Sequence, residues 1–337
     1  MQKWKLWFCC LPVFLVLVGC KTLGFQETTQ PLRIYSELPV SVTEDFVNDF
    51  LESKEHKVKV EVVYPPQKQE NSTINIVQNN YDIWLGATAE EFFLADTKKI
   101  LTAYQAPNLR LPPALRNRTG AWTSLFTTNL VMVINKRVLR ERELEVPVTW
   151  NDLQGKLWQD GIVLSKPKQK QSGYRFITTL WQLYGEEWLS AYLSKLEQTQ
   201  LTFAASDQEA LHLVATGNKA VTVLTLDEAM REVLKNSELS IVVPKEGTAR
   251  KITGVAILAG TKQEELSATF IDYLLSKRAQ NILDKSDYYV WPLLVDSSDY
   301  TWGHSYAETF LVQDDLRWCA LNAEEIINKI QLPKKSN

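Results

Sequence analysis

Apolar positions recur along the chain with two periods, one suited to strands and one to helices. Leu32 to Tyr35 is a short apolar run, and Val58, Val60 and Val62 alternate with charged residues. Both read as strands, the second stopped by Pro65 and Pro66. Between them Phe46, Val47, Phe50 and Leu51 recur at helical spacing, with Ser41 and Glu44 as a capping box. A polar helix near Asn71 to Gln78 leads to an apolar strand over Asp82 to Leu85. Gly86 and Ala87 then form a tight turn, and Thr88 with Glu91 gives a second capping box. This alternation predicts a parallel sheet with helices on both faces.

The longest apolar run, Leu125 to Asn135, lacks polar alternation and predicts one buried strand. Past the turn at Val146 and Pro147, a second apolar strand, Gly161 to Ser165, runs into a basic loop with Lys166, Lys168 and Lys170. Ser172, Gly173 and Tyr174 end the loop and open an amphipathic helix carrying Phe176, Leu180, Trp181, Leu183 and Tyr184. Trp188 to Leu196 is again helical, and Ser206 with Glu209 caps a helix ending at Gly217. Ala220 to Leu224, a helix over Asp227 to Lys235, and Leu239 to Val243 continue the alternation. The strand Ile252 to Leu258 reads as a return to the first half of the fold. Helices over Gln263 to Leu275 and Lys277 to Leu283 follow, Ser276 capping the second. The amphipathic tail from Ser305 to Ile330 predicts a helix packed across both halves.

A chain of 337 residues can hold two domains, and 45% hydrophobic with 23% charged residues fits a globular protein. A formal charge of −3 and a pI near 5.8 exclude nucleic acid as the main partner. Lys3 and Lys5 precede an uncharged stretch from Leu6 to Gly19, too short for a comfortable membrane span, which marks a targeting segment. Its end, Leu17, Val18, Gly19, Cys20, resembles the lipobox of bacterial lipoproteins. That resemblance implies a signal over residues 1–19, cleavage before Cys20, acylation of Cys20, and a tether over 20–30. An uncleaved anchor or an ordinary secretory signal is the alternative. Of the cysteines Cys9, Cys10, Cys20 and Cys319, only the last would then remain free, so no disulfide braces the fold.

The ordered series "GAWTSLFTTNLVMVIN", "VPVTWNDL", "GIVLSKPKQKQSGYRF", "LVATGNKAVTVL", "IVVPKEGT" and "FIDYLLSKRAQNIL" resembles the extracellular solute-binding proteins of ABC importers. The branch is the one that includes ferric-ion, thiamine and phosphonate binders. The resemblance spans roughly residues 30 to 295 and implies an α/β, two-lobe periplasmic-binding-protein-like (type II) fold. Lobe 1 would comprise 31–127 and 253–295, lobe 2 residues 128–252, and 296–337 a C-terminal helical segment. Two crossing strands make a hinge, and closure around a solute is the motion of such an architecture. The family further implies a small anionic or metal-containing solute, a membrane permease as partner, a cell-envelope location and a monomer. A sensor that presents its ligand state to a receptor kinase is the alternative on this fold, and an extracytoplasmic enzyme is a third.

Ligands of such sheets sit beyond the carboxyl ends of the strands. Ser36, Glu37, Gly86 and Ala87 occupy those ends in the first lobe. In the second, Ser172, Gly173, Tyr174 and Arg175 open a helix, and Thr225 ends a strand. A helix N-terminus carries unpaired N–H groups and partial positive charge, so with the nearby lysines it suits an anionic solute. The Gly173 N–H is expected among the unpaired donors. Arg175, a cation in a first turn, opposes the dipole; it faces an anion in the cleft, solvent, or a neighbouring acid. An ordinary capped helix accounts for the same residues.

Catalytic motifs are missing. His56, His212 and His304 lie far apart without metal-ligand spacing, and no nucleophile elbow, P-loop or dinucleotide fingerprint occurs. Neither a metal nor a cofactor is expected. Ferric-binding relatives carry an adjacent tyrosine pair after the strand that here is Ala220 to Leu224, but this chain has Thr225, Leu226 and Asp227 there. Tyr288 and Tyr289 fall later and read as structural.

Overall fold

The computed structural model describes residues 30–53, 58–65, 76, 79–107, 111–112, 115–293 and 315–329. Cys20, the signal and most of the polar stretch near Asn71 to Gln78 lie outside them. In the first lobe, β1 (Leu32–Ser36), α1 (Val40–Glu52) and β2 (Val60–Val63) form a parallel crossover unit. β3 (Ile83–Thr88) lies parallel on the other side of β1, and α2 (Ala89–Thr97) leaves its end. The short β4 (Leu101–Thr102) leads to β5 (Thr123–Asn135), all of whose residues are buried.

β5 joins the two halves. Its first part pairs with lobe-1 strands, and its second with strands of the other lobe. Leu130, Met132 and Ile134 enter one core and Val131 and Val133 another, so both faces are covered. That is why the run shows no polar alternation. After α3 (Lys136–Glu141), β6 (Val163–Ser165) leads into α4 (Ser172–Tyr184), α5 (Glu186–Glu197) and β7 (Thr202–Ala204). Next come α6 (Asp207–Ala215), β8 (Val221–Thr225), α7 (Leu226–Val233) and β9 (Leu239–Val242). β10 (Arg250–Leu258) returns to lie between β3 and β5. α8 (Glu264–Leu274), α9 (Lys277–Lys285) and β11 (Trp291–Pro292) complete the first lobe. Past the undescribed stretch, α10 (Leu316–Leu321) and α11 (Ala323–Lys329) form two short helices broken at Asn322.

The parallel sheet expected from the alternation is mixed. β10 runs antiparallel to β3 and β5, and β8 and β9 run antiparallel to β5. Long crossing strands that traverse a hinge in opposite directions make this pairing, which local periodicity does not encode. The Ser41–Glu44 box is likewise not used. α1 starts at Val40 because Pro39, at φ −52°, already offers its carbonyl to Thr43. Gly86 is not a turn: β3 runs on through Thr88, and Gly86 sits in it at φ +91°. A Cβ there would lie 2.8 Å from the Leu38 side chain. The Thr88–Glu91 capping box and the Ser206 and Ser276 caps form as the sequence predicts.

Each lobe packs a core on both faces of its sheet. In the first, Phe46, Phe50, Phe270 and Leu283 fill one side, while Trp84, Phe92 and Trp122 stack on the other. In the second, Trp150, Phe176 and Tyr192 fill one side. Among the described residues no helix is long and apolar enough to cross a membrane.

Candidate functional site

The carboxyl ends of β1 and β3 and the start of α4 come together across the lobe boundary. Lys170, in the loop before α4, bonds Glu37 at 2.8 Å and Glu91 at 2.5 Å. Arg175, in the first turn of α4, bonds Glu90 at 2.5 Å and the Arg250 carbonyl at 3.2 Å. Glu37 follows β1, whereas Glu90 and Glu91 open α2. Each ion pair thus joins one lobe to the other.

Burial alone pulls the Lys170 ammonium down, but the Glu91 and Glu37 carboxylates reverse this and hold it above the ordinary lysine range. Burial, then the Glu91 charge, pushes Glu37 up against the pull of Lys170. The Trp84 indole N–H also donates to Glu37 at 2.9 Å, fixing that carboxylate. Tyr35 beneath is pushed up to about 12, first by burial and then by Glu37.

The backbone N–H groups at the N-terminus of α4 are internally satisfied, while the Ser172 hydroxyl is buried without a hydrogen-bond partner. Gln171, with no side-chain bond of its own to the helix, occupies the cap position, and Ser172 is already helical. Both Asp207 carboxylate oxygens accept from the Ser172 N–H, at 3.1 and 3.0 Å, while the Asp207 N–H donates to the Gln171 side chain at 2.9 Å. The starts of α4 and α6 cap each other. The Gly173 N–H donates to Ser165 Oγ at 2.8 Å, and the Tyr174 and Arg175 N–H groups donate to the Gln171 carbonyl. The expected unpaired Gly173 donor is therefore occupied. Acids and hydroxyls from distant sequence reach this terminus first, which local reading could not foresee. A Cβ on Gly173 would lie 2.0 Å from the Ser165 carbonyl oxygen, so the close approach excludes any side chain.

Beside it lies a second group of acids. Asp227 and Glu228 open α7, and Asp207 opens α6. Burial, then the charges of Asp207 and Asp227, raise Glu228 to about 8, against the pull of Lys251 and Arg231. Burial also pushes Asp207 up, partly offset by its hydrogen bonds and by Lys251. The Thr225 hydroxyl and one Asp227 oxygen are buried here without a hydrogen-bond partner. Tyr288 packs its ring on Phe126, and burial with the nearby Asp227 charge pushes its hydroxyl up. Tyr289, at φ +56°, packs against the Val131–Val133 cluster of the second lobe, whereas Tyr288 packs against the first-lobe core.

The other first-lobe residues singled out by sequence sit deeper. Ser36 Oγ is buried against Thr43 Oγ1 at 2.8 Å, and Ala87 belongs to the Trp84–Phe92 core. They support the loops that carry Glu37 and Glu90 and do not reach the seam. The Tyr174 hydroxyl donates to the Cys319 carbonyl at 2.6 Å. Glu90 and Glu91, adjacent acids that the sequence reads as a solvated helix face, are instead buried and ion-paired, because α2 opens at the seam; Asp207, Asp227, Glu228 and Lys251 were not singled out. The capping boxes carried the only local signal, since a cap acid at a strand's carboxyl end also faces the cleft. Among the described residues no group of three or more His, Cys, Asp or Glu could hold a metal ion. A cavity of about 340 Å³ lined by Tyr104, Arg116, Arg118 and Trp122 opens on the flank of the first lobe and holds none of the seam carboxylates.

Comparison with known proteins adds the family. The chain is similar to an uncharacterized protein of Haemophilus influenzae, 24% identical over 207 residues, 60% of each chain. The match thus spans somewhat under two thirds of that relative. In structure it is similar to the periplasmic binding protein AfuA of Actinobacillus pleuropneumoniae with fructose 6-phosphate bound. That likeness has a TM-score of 0.75 and 22% identity, covering 90% of this chain and 98% of the other. A ferric binding protein from Campylobacter jejuni gives a TM-score of 0.71 and 18% identity over 88% and 98% of the chains. These likenesses establish the two-lobe binding-protein fold. The profile of the bacterial extracellular solute-binding proteins matches residues 79–303, more than half of the chain, and the protein belongs to that family.

Proposed function

We propose that the protein is the solute-binding lipoprotein of an ABC importer and that it captures a phosphorylated sugar or polyol between its lobes. The observation that carries this reading is the mixed lining of the seam, where buried acids, Glu228 among them protonated at neutral pH, lie beside Lys170, Arg175 and Lys251. Carboxylates accept hydrogen bonds from sugar hydroxyls, and lysines receive a phosphate. In this reading Asp207, Asp227 and Glu228 take hydroxyl groups, Thr225 donates its free O–H, and Lys170 with Lys251 faces the anion. Glu37 hands Lys170 over as the solute enters. Arg175, held by Glu90, closes the lobes and makes no solute contact. The neighbour with fructose 6-phosphate bound supports this solute class. The ferric neighbour points to iron, but the residues after β8 offer no phenolate, and Tyr288 and Tyr289 pack against different clusters.

Acylation of Cys20 would hold the protein at the membrane, where the closed form meets a permease. The test is a thermal-shift panel of hexose phosphates, phosphoglycerate, inorganic phosphate and ferric citrate. A true solute at about a hundredfold its Kd stabilises by about 2.7 kcal/mol. A hexose or polyol phosphate should give the largest shift and be recovered unchanged afterwards. Ferric citrate as the strongest stabiliser, or a chemically altered ligand, would overturn the proposal.

A further inference from the structure

α10 and α11 touch both lobes at once. α10 lies along α2 of the first lobe, and Leu316 packs against the Trp84–Phe92–Trp122 cluster. Its other face meets α4 of the second lobe. There the Cys319 carbonyl accepts from the Tyr174 hydroxyl, and Cys319 Sγ accepts from Gln182 Nε2 at 3.1 Å. The Asp315 N–H donates to Gln182 Oε1 at 2.6 Å, and Trp318 meets Trp181 edge to face. Ala323 and Ile326 of α11 are buried in the second-lobe core. The small residues Cys319, Ala320 and Ala323 at helical spacing let α10 and α11 sit close to both neighbours.

α2 and α4 are also the helices whose first turns carry the Glu90–Arg175 pair. We propose that the C-terminal helices are a strap that favours the closed lobes before any solute arrives. The two ends of the strap differ in grip. The second-lobe end holds hydrogen bonds and buried Ala323 and Ile326, whereas the first-lobe side is the packing of α10 along α2, with Leu316 partly buried and apolar at its start. On opening, the strap stays with the second lobe, and the face of α10 that carries Leu316 parts from α2. A contact made only in the closed form raises the closed population and therefore the apparent affinity for any solute the closed form binds.

The test needs no solute, so its failure is distinct from failure of the proposed function. Nitroxides introduced at Lys98 and Glu187, exposed positions on opposite lobes, report the inter-lobe distance by electron spin resonance. The full chain should show one short distance. Leu316→Asp should raise the open-to-closed ratio by at least about fivefold, the scale expected from expelling a partly buried leucine. Leu316→Ala should shift it less in the same direction, and keeps the test alive should the aspartate disturb folding. Circular dichroism checks that each variant is folded. Folded variants that keep the wild-type distance, or a wild-type chain that is open with the tail docked, would overturn the strap.

Discussion

Replacing Arg175 tests how the lobes are held. Its guanidinium meets Glu90 at 2.5 Å, with side-chain exposures of 8% and 3%. Removing one partner of such a buried pair costs about 3–5 kcal/mol, because the remaining charge stays buried without a counterion. The second Glu90 oxygen already lacks a partner, so no other group is placed to take over. Glu90 and Arg175 belong to different lobes, and opening returns Glu90 to water. The cost therefore falls on the closed form, and the protein opens rather than unfolds. Arg175→Met keeps the stem packing and removes the charge. A closed form weakened by about 3 kcal/mol loses about two orders of magnitude in the closed-to-open ratio. Inter-lobe distance should lengthen, apparent solute affinity should fall with it, and the midpoint of global unfolding should move little. Adding Glu90→Gln should restore part of the closure, with a coupling above about 1 kcal/mol in the double-mutant cycle. An Arg175→Met protein as closed as wild type, or additive single effects, would refute the latch.

Gly173→Ala places a Cβ 2.0 Å from the Ser165 carbonyl and should destabilise by about 2–4 kcal/mol in urea unfolding; a change within about 0.5 kcal/mol contradicts the close approach. Glu228, raised to about 8 from a usual 4.5, binds a proton on folding between those pH values. Its contribution is thus complete below 4.5 and lost as pH rises through 8, so the melting midpoint should fall from pH 6 to 9. Glu228→Gln, with Asp207, Asp227, Lys251 and Arg231 unchanged around it, should flatten that fall; equal slopes would dismiss the assignment. Cys20→Ser should abolish incorporation of labelled fatty acid, and a wild-type chain that takes up none is not a lipoprotein.

Where burial follows from local pattern, the sequence was informative. β5 was legible because thirteen buried residues on two covered faces leave an uninterrupted apolar run. Three caps were legible because Thr88, Ser206 and Ser276 bond within their own first turns. The antiparallel course of β10 was not, since pairing direction depends on partners more than a hundred residues apart. The site was half legible. Glu37 and Arg175 were found from their places at element ends, and the seam does gather around them. Their partners Glu90, Glu91 and Lys170 come from segments far apart in sequence, and nothing local says that a cap acid also meets a cation from the other lobe. The donors at Ser172 and Gly173 were misread for the same reason. Asp207 and Ser165 fill them from outside the helix.

That filling changes what the solute must supply. An open helix terminus would attract any small anion, whereas here Asp207 and Ser165 already occupy the donors. Lys170 is likewise engaged by Glu37 and Glu91. Inorganic phosphate could neutralise Lys170 only by leaving those two buried acids facing each other. A neutral sugar could satisfy carboxylates but would leave the lysines without a new anion. A molecule carrying both groups replaces each broken contact as it binds, and unpaired buried charge is the costly alternative. Selectivity would then come from rejection as much as attraction. In calorimetric titration a hexose phosphate should bind more tightly than the separate hexose and phosphate free energies predict when added. If phosphate alone binds as tightly as the hexose phosphate, the carboxylates are not reading hydroxyls and the second-lobe acids serve the fold instead.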